Sequence, residues 1–237
     1  MNGNLVHEAR NFQTFVCYLS KQNGQSGGAG LPLSDRMQPF DTVSAHARIV
    51  SHVEKLISLT DEEKAYFLSI LKPRVLRRKQ FLVQMGEVCR FESFVTNGCL
   101  RAFAIDPKGQ EHNVLFALED WWISDFQSLL TEQPATLYVE ALEETQVLQI
   151  EKKDLDNLFI QIPAFERFFR IKLQNAFIAF QNRIFSTISQ TAEERYLAFC
   201  QRYPHIEQRV PQYMIASYLG FTPEFLSKIR RELATRH

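Results

Sequence analysis

The sequence predicts an α+β chain: an antiparallel, jelly-roll-like β roll flanked by helices, then one long helix, then a C-terminal helix-turn-helix. Three observations carry that prediction. Between residues 74 and 150 the apolar pattern has a period of two and is cut into short pieces by turn residues, as in small antiparallel barrels and rolls. From Leu173 to Ile188 apolar residues step by 4, 3, 4 and 4, the spacing of a single helical seam. In the tail, Gly220, Thr222 and Pro223 punctuate two short apolar-faced segments at the positions where one helix ends and the next begins.

Composition narrows the function classes. At 237 residues with 45% apolar and 12% aromatic content, the chain can build substantial cores. A formal net charge of zero means that any nucleic-acid contact must come from a local patch. Cysteines 17, 89, 99 and 200 lack the short spacings that chelate zinc or an iron–sulfur cluster and read as reduced thiols. No apolar run approaches the ~20 residues of a membrane helix and the start has no secretory pattern, so a cytoplasmic location is expected with no membrane partner.

In chain order, residues 1–44 read as an N-terminal extension, in which Gln22 to Gly30 favours a flexible, disordered linker. Met37 follows it, and a native start there would make the first 36 residues an artefact of gene calling; the mass of the native N-terminus decides. From about Ala45 a helix is expected with Ile49, Val50, Val53, Leu56 and Ile57 on one face. Thr60-Asp-Glu-Glu63 is a capping box opening a second helix that carries Tyr66, Phe67, Ile70 and Leu71 and ends before Pro73. Strand segments are expected around 74–84, 91–105, 111–117 and 136–150, separated by Gly86, Asn97-Gly98, Asp106-Pro-Lys-Gly109 and Pro134. A short helix follows at 152–160, and from Pro163 a long one runs to about Ser189. Its seam is Leu173, Phe177, Phe180, Ile184 and Ile188, widened by Phe165, Phe168, Phe169 and Phe185. Part of that helix covers its own roll, and the remaining apolar length is best buried against a second copy, giving a two-fold homodimer. Thr191-Ala-Glu-Glu194, a second capping box, restarts the chain as a separate domain. The expected division is 45–160 for the roll, 161–190 for the dimerisation helix and 191–237 for the DNA-binding domain.

In the tail, Ile215, Ala216 and Leu219 form one apolar face and Ala216 permits a close helix crossing. The second helix buries Leu226, Ile229 and Leu233 and turns Glu224, Phe225, Ser227, Lys228 and Arg231 outward. From residue 209 onward five basic side chains (Arg209, Lys228, Arg230, Arg231, Arg236) face two acids (Glu224, Glu232), a local excess suited to a phosphate backbone. An ordinary helical hairpin with a solvated charged face is the plainer alternative.

The order of these elements, with Gly86-Glu87 and the Asp-Pro-Lys-Gly hairpin in the roll, Glu193-Glu-Arg-Tyr-Leu197 and the segment Pro211 to Arg230, resembles the Crp–Fnr family of bacterial transcription regulators, in the version found in Bacteroidetes. The resemblance covers residues 45–237. It implies a winged helix-turn-helix, a homodimer on a palindromic operator with half-sites ~34 Å apart, and RNA polymerase as a further partner. Carried over by position, Glu224, Ser227 and Lys228 fill base-facing slots, where glutamate accepts from cytosine N4 and lysine donates to guanine. Gln212, Thr222, Arg230 and Arg231 fall to phosphates, which position without specifying. Pro223 stands where better-known members carry a base-reading arginine, so their operator is not expected here.

The resemblance also places an effector pocket at Trp121, Trp122, Ser124, Asp125, Phe126, Ala135, Thr136 and Tyr138. Members that bind cyclic nucleotides use a glutamate on the ribose and an arginine on the phosphate; here Ser124 or Asp125 replaces the first and Ala135 the second. A buried phosphate without a cation is costly, so tight binding of cyclic AMP is not expected. Trp121, Trp122, Phe126 and Tyr138 either fill the hollow as core or line a less charged ligand site. Neither an iron–sulfur cluster nor haem is expected, since Cys17 stands alone near the start and His112 is the single histidine in the expected strands. The same lone histidine argues against a cupin-type metalloenzyme, and no phosphate loop or nucleophile elbow occurs, so no enzymatic activity and no cofactor are predicted. A non-DNA-binding sensor or interaction module of the same shape is the alternative function.

Overall fold

The computed structural model describes residues 39–235. Residues 1–38 of the extension, with the linker, Cys17 and Met37, and Arg236 lie outside the described residues, while residues 42–44 belong to the first helix. Two helices lead, α1 (Thr42–Glu54) and α2 (Asp61–Ser69). Asp41 caps the first by accepting from Ser44 N–H, which starts α1 three residues ahead of the expected Ala45. The second begins with the expected capping box: Thr60 accepts from Glu63 N–H and Glu63 accepts from Thr60 N–H.

Eight strands then form two four-stranded antiparallel sheets, β1 (Lys72–Leu76), β2 (Phe81–Val83), β3 (Phe91–Asn97), β4 (Leu100–Ile105), β5 (Glu111–Ala117), β6 (Trp122–Ile123), β7 (Tyr138–Ala141) and β8 (Thr145–Glu151). One sheet has the order β1-β8-β3-β6, the other β2-β7-β4-β5. The alternation decides which side chains face between them. Val95 opposes Val147, and Leu100 and Ala102 oppose Ala141 and Val139. These residues, with Leu76, Ala117, Ile123 and Leu129, form the interior of the roll. Gly98 (φ 99°) makes the β3–β4 turn, and a Cβ there would come within 2.7 Å of the Glu144 carbonyl oxygen, so the turn accepts only glycine.

Each sheet also buries its outer face. Phe94, Leu148 and Ile150 on the first join Ile49, Val53, Phe67, Phe165, Phe168 and Phe169 in a core under the flanking helices. Fully burying each of these aromatic rings contributes about 1.5–3 kcal/mol. After the short helix α3 (Phe126–Thr131) in the β6–β7 connection come α4 (Lys152–Gln161) and the long α5 (Ala164–Ser189). The expected seam of α5 therefore divides. Phe165, Phe168 and Phe169 seal its first turns onto the roll, whereas Leu173, Phe177, Phe180, Ile184, Phe185 and Ile188 are exposed, Ile188 by 79%.

Four helices follow: α6 (Ala192–Arg202), α7 (Ile206–Arg209), α8 (Gln212–Leu219) and α9 (Pro223–Thr235). The second capping box forms at Thr191 and Glu194. The β hairpin of a wing is the one detail of this region that differs, since no strand follows β8 among the described residues. Between α6 and α8, Tyr203, Ile206 and Val210 are drawn into the core, and Ile206 and Val210 reach it together from one helical turn.

Candidate functional site

Gly220 ends α8 in the left-handed conformation (φ 72°), where glycine carries no Cβ penalty. The Thr222 hydroxyl accepts from Phe225 N–H at 3.2 Å and Pro223 opens α9. Leu226 and Ile229 are buried against α8, with Leu233 partly so. The remaining face points to solvent. Glu224, Phe225, Lys228 and Arg231 are exposed, and so is Thr222, while Ser227, Gln212 and Arg230 are half-buried. Besides Thr222, three of these side chains already have polar partners: Ser227 donates to Pro223 O, Lys228 pairs with Glu232 at 3.8 Å, and Arg230 pairs with Glu207 at 3.5 Å. Such exposed pairs contribute little and exchange readily for a phosphate.

The helix-turn-helix sits on the outer face of the second sheet. Phe116 of β5 meets Phe199, Tyr203 and Tyr218 at ring separations of 6.3, 6.3 and 5.4 Å. Trp121 stacks on Tyr203 at 5.5 Å. Polar contacts fix the register: Asn113 N–H donates to Ser217 Oγ at 3.0 Å, Ser217 donates to Glu111 O at 2.9 Å, and Asn113 Nδ2 donates to Met214 O at 3.3 Å. Arg183 of α5 stands over the Tyr218 ring at 4.1 Å and donates to the carbonyls of Tyr218 and Val114. Arg209, just ahead of α8, donates to both oxygens of Glu119 at 2.9 Å and to Glu143. Burial raises the Glu119 carboxyl, but Arg209 and the Gly98 N–H outweigh it and hold it below the usual carboxylate range. Sequence reading counted Arg209 among the tail's basic residues and passed over Glu119, Glu143, Asn113 and Ser217. The outward position of Phe116 in a strand was the available signal.

In the roll, the eight residues proposed for the effector pocket do not converge on one cavity. Trp121 turns toward the terminal helices. Trp122 turns the other way, onto Phe94, Phe168 and Phe169. Consecutive residues of an extended segment point to opposite sides, which separates these two neighbours at the start of β6. Phe126 is on the surface and Tyr138 stacks on Phe103 outside the second sheet, because Val139 takes the inward position. Trp121 also packs against the interior of the roll, whereas Trp122, Phe126 and Tyr138 do not join it. Ser124 donates to Glu92, which also pairs with Lys172 of α5. Burial pushes the Lys172 ammonium down while Glu92 draws it up, with burial prevailing.

Asp125, Ala135 and Thr136 do come together. The Asp125 carboxylate is 1% exposed; it accepts from Ser128 N–H at 3.0 Å, Thr136 N–H at 2.8 Å and Leu137 N–H at 3.0 Å. Ala135 is buried and exchanges backbone hydrogen bonds with the Gly86-Glu87 turn. Among the described residues no group of histidine, cysteine and carboxylate side chains could hold a metal ion, and no helix is long and apolar enough to cross a membrane.

Residues 73–161 match the family model of the cyclic nucleotide-binding domain. No curated protein sequence matches the chain. Solved structures with the same fold include the c-di-GMP responsive global regulator CLP of Xanthomonas campestris, at 12% identity and a TM-score of 0.60, covering 75% of this chain and 93% of that one. FixK2 of Bradyrhizobium japonicum gives 18% identity and 0.60, with 70% and 86% covered. A CooA variant of Carboxydothermus hydrogenoformans gives 15% and 0.58, with 78% and 84% covered. The roll, long helix and terminal helices are thus the fold of Crp–Fnr regulators.

Proposed function

We propose that the chain is a sequence-specific DNA-binding transcription regulator that acts as a homodimer, with residues 45–160 as the roll, 161–190 as the dimerisation helix and 191–237 as the DNA-binding domain. The outward face of α9 is the observation that carries this reading: Glu224, Phe225, Lys228 and Arg231 are exposed on a helix whose opposite side is locked to α8. Glu224, Ser227 and Lys228 read base edges, and Gln212, Thr222, Arg230 and Arg231 hold phosphates. The bare half of α5, from Leu173 to Ile188, supports the dimer, because six large apolar side chains in line are costly to leave in water. RNA polymerase is the partner such a regulator acts on.

The roll of this regulator binds no cyclic nucleotide tightly. Three backbone donors of the β6–β7 connection, the N–H groups of Ser128, Thr136 and Leu137, are already taken by the Asp125 side chain and are not open to a phosphate. Selection of duplexes from a random pool, followed by gel shifts across a salt series, tests the main reading. A palindromic site bound with a steep salt dependence is expected, and the absence of any selected sequence would overturn it. Calorimetry with cyclic AMP and cyclic GMP should register no micromolar binding.

A further inference from the structure

The C-terminal end of α8 leads through Gly220 into α9, so whatever holds that end also aims α9. The last carbonyls of a helix have no partner within it. In α8 two of them are met by the turn itself: Phe221 N–H donates to Ala216 O at 2.8 Å and Gly220 N–H to Ser217 O at 3.2 Å. The final two are met by arginines from other helices. Arg195 of α6 donates to Leu219 O at 3.2 Å, from within the terminal helices. Arg183 donates to Tyr218 O at 2.9 Å, and it belongs to α5.

Arg183 joins three elements. Its guanidinium also donates to Asn113 O at 3.4 Å and to Val114 O, both on β5, and it lies over the Tyr218 ring at 4.1 Å. The planar fork of an arginine serves several carbonyls at fixed angles, which a lysine ammonium cannot do. Its place on α5 matters as much. Successive residues of a helix point about 100° apart, so Arg183 flanks the bare seam in which Phe180 and Ile184 are 58% and 48% exposed. One turn of α5 thus offers its apolar side to a second copy and its cation to the terminal helices.

Resting on the reading of the chain as a homodimeric regulator, we infer that Arg183 is a positioning residue for DNA recognition: it fixes each α9 relative to the two-fold axis and so sets the half-site spacing that the dimer accepts. Asn113, Glu111 and Phe116 tie α8 to the roll, whereas Arg183 ties it to the helix that pairs with its counterpart in the second copy. Arg183 touches no DNA in this role, so the affinity for a single half-site is independent of it.

The test uses the full chain and a palindromic duplex selected from a random pool by wild type, together with versions that have one base pair added or removed at the centre, or one half-site scrambled. One base pair moves the half-sites by about 3.4 Å and turns them by about 35°, which a rigidly held pair of helices cannot follow. Wild type should lose at least about thirtyfold in affinity on the altered spacings and Arg183→Met no more than about threefold, because freed helices adapt. On the original palindrome Arg183→Met should bind about tenfold more weakly, since loosely held helices meet the second half-site at a lower effective concentration, and on the scrambled duplex it should match wild type. Arg183→Lys, which keeps the charge on one nitrogen, should fall between the two. Light scattering and thermal unfolding check that each variant is a folded dimer, and Arg183→Lys decides alone should Arg183→Met fail either check. A wild-type spacing profile in the folded variants overturns the inference, since the roll would then set the spacing. Equal weakening on the palindrome and the scrambled duplex overturns it as well, because Arg183 would then only support the fold of α8. Tighter binding by Arg183→Met overturns it from the other side, as a restraint on the terminal helices. If wild type selects no duplex the regulator reading fails, and if it is a monomer the dimer reading fails; this inference falls with either.

Discussion

Arg209→Met is the sharpest probe of the joint between the roll and the terminal helices. The substitution keeps the side chain's stem but removes four hydrogen bonds to Glu119 and Glu143. Losing one partner of a fully buried pair costs about 3–5 kcal/mol, whereas an exposed pair contributes about 0–1 kcal/mol. Arg209 and Glu119 are 27% and 26% exposed, between those limits, so about 2 kcal/mol of docking energy should go. That corresponds to roughly 30-fold more of the undocked form. The Phe116, Phe199, Tyr203 and Tyr218 rings and the Asn113–Ser217 contact remain, so the chain should still fold. Hydrogen exchange reads the effect directly: Asn113 N–H and the amides of α8 should exchange about 30-fold faster, with those of α1 and α2 unchanged. Adding Glu119→Gln to Arg209→Met should recover part of the loss, because no buried carboxylate is then left unpaired. Exchange at Asn113 within about threefold of wild type, or equal acceleration in α1, would refute the idea that this ion cluster holds the joint.

Three further outcomes are expected. Desolvation against Phe94 and Phe168 pushes His52 down to about 4, overcoming the pull of Asp120; the unfolded chain thus binds the extra proton first, and stability should fall by up to about 3 kcal/mol as pH drops from 6.5 towards 4. Melting temperatures across that range should show the loss in wild type and not in His52→Gln. Gly98→Ala would place a methyl group against the Glu144 carbonyl and the Thr145 backbone at a φ of 99°, which should destabilise the roll by at least about 2 kcal/mol in chemical denaturation. Phe177→Glu/Phe180→Glu, on the bare half of α5, should yield a folded monomer by light scattering where wild type is a dimer.

Local chemistry made some elements legible and left others hidden. Gly220, Thr222 and Pro223 act on their own backbone, so the turn between α8 and α9 could be placed from those three residues. Both capping boxes and β5 were found for the same reason. β6, two residues long, and α3, six residues long, are shorter than any period can register. Trp121 and Trp122 are adjacent aromatics sent to opposite sides, and which of them takes which side depends on the register of a two-residue strand, which nothing in their own chemistry announces. Pairing Arg209 with Glu119 requires positions 90 apart in sequence to meet, which only the folded chain decides. The wing was implied by family likeness and rested on no residues of this chain, and no strand follows β8 among the described residues.

Asp125 is a covalently tethered occupant of the β6–β7 donors, present at one copy per roll at every moment. A diffusible effector tunes its receptor through supply and washout, but a built-in one cannot be depleted. The three amides it holds are satisfied without any ligand, and an anion reaching them would first have to displace a group attached to the same backbone.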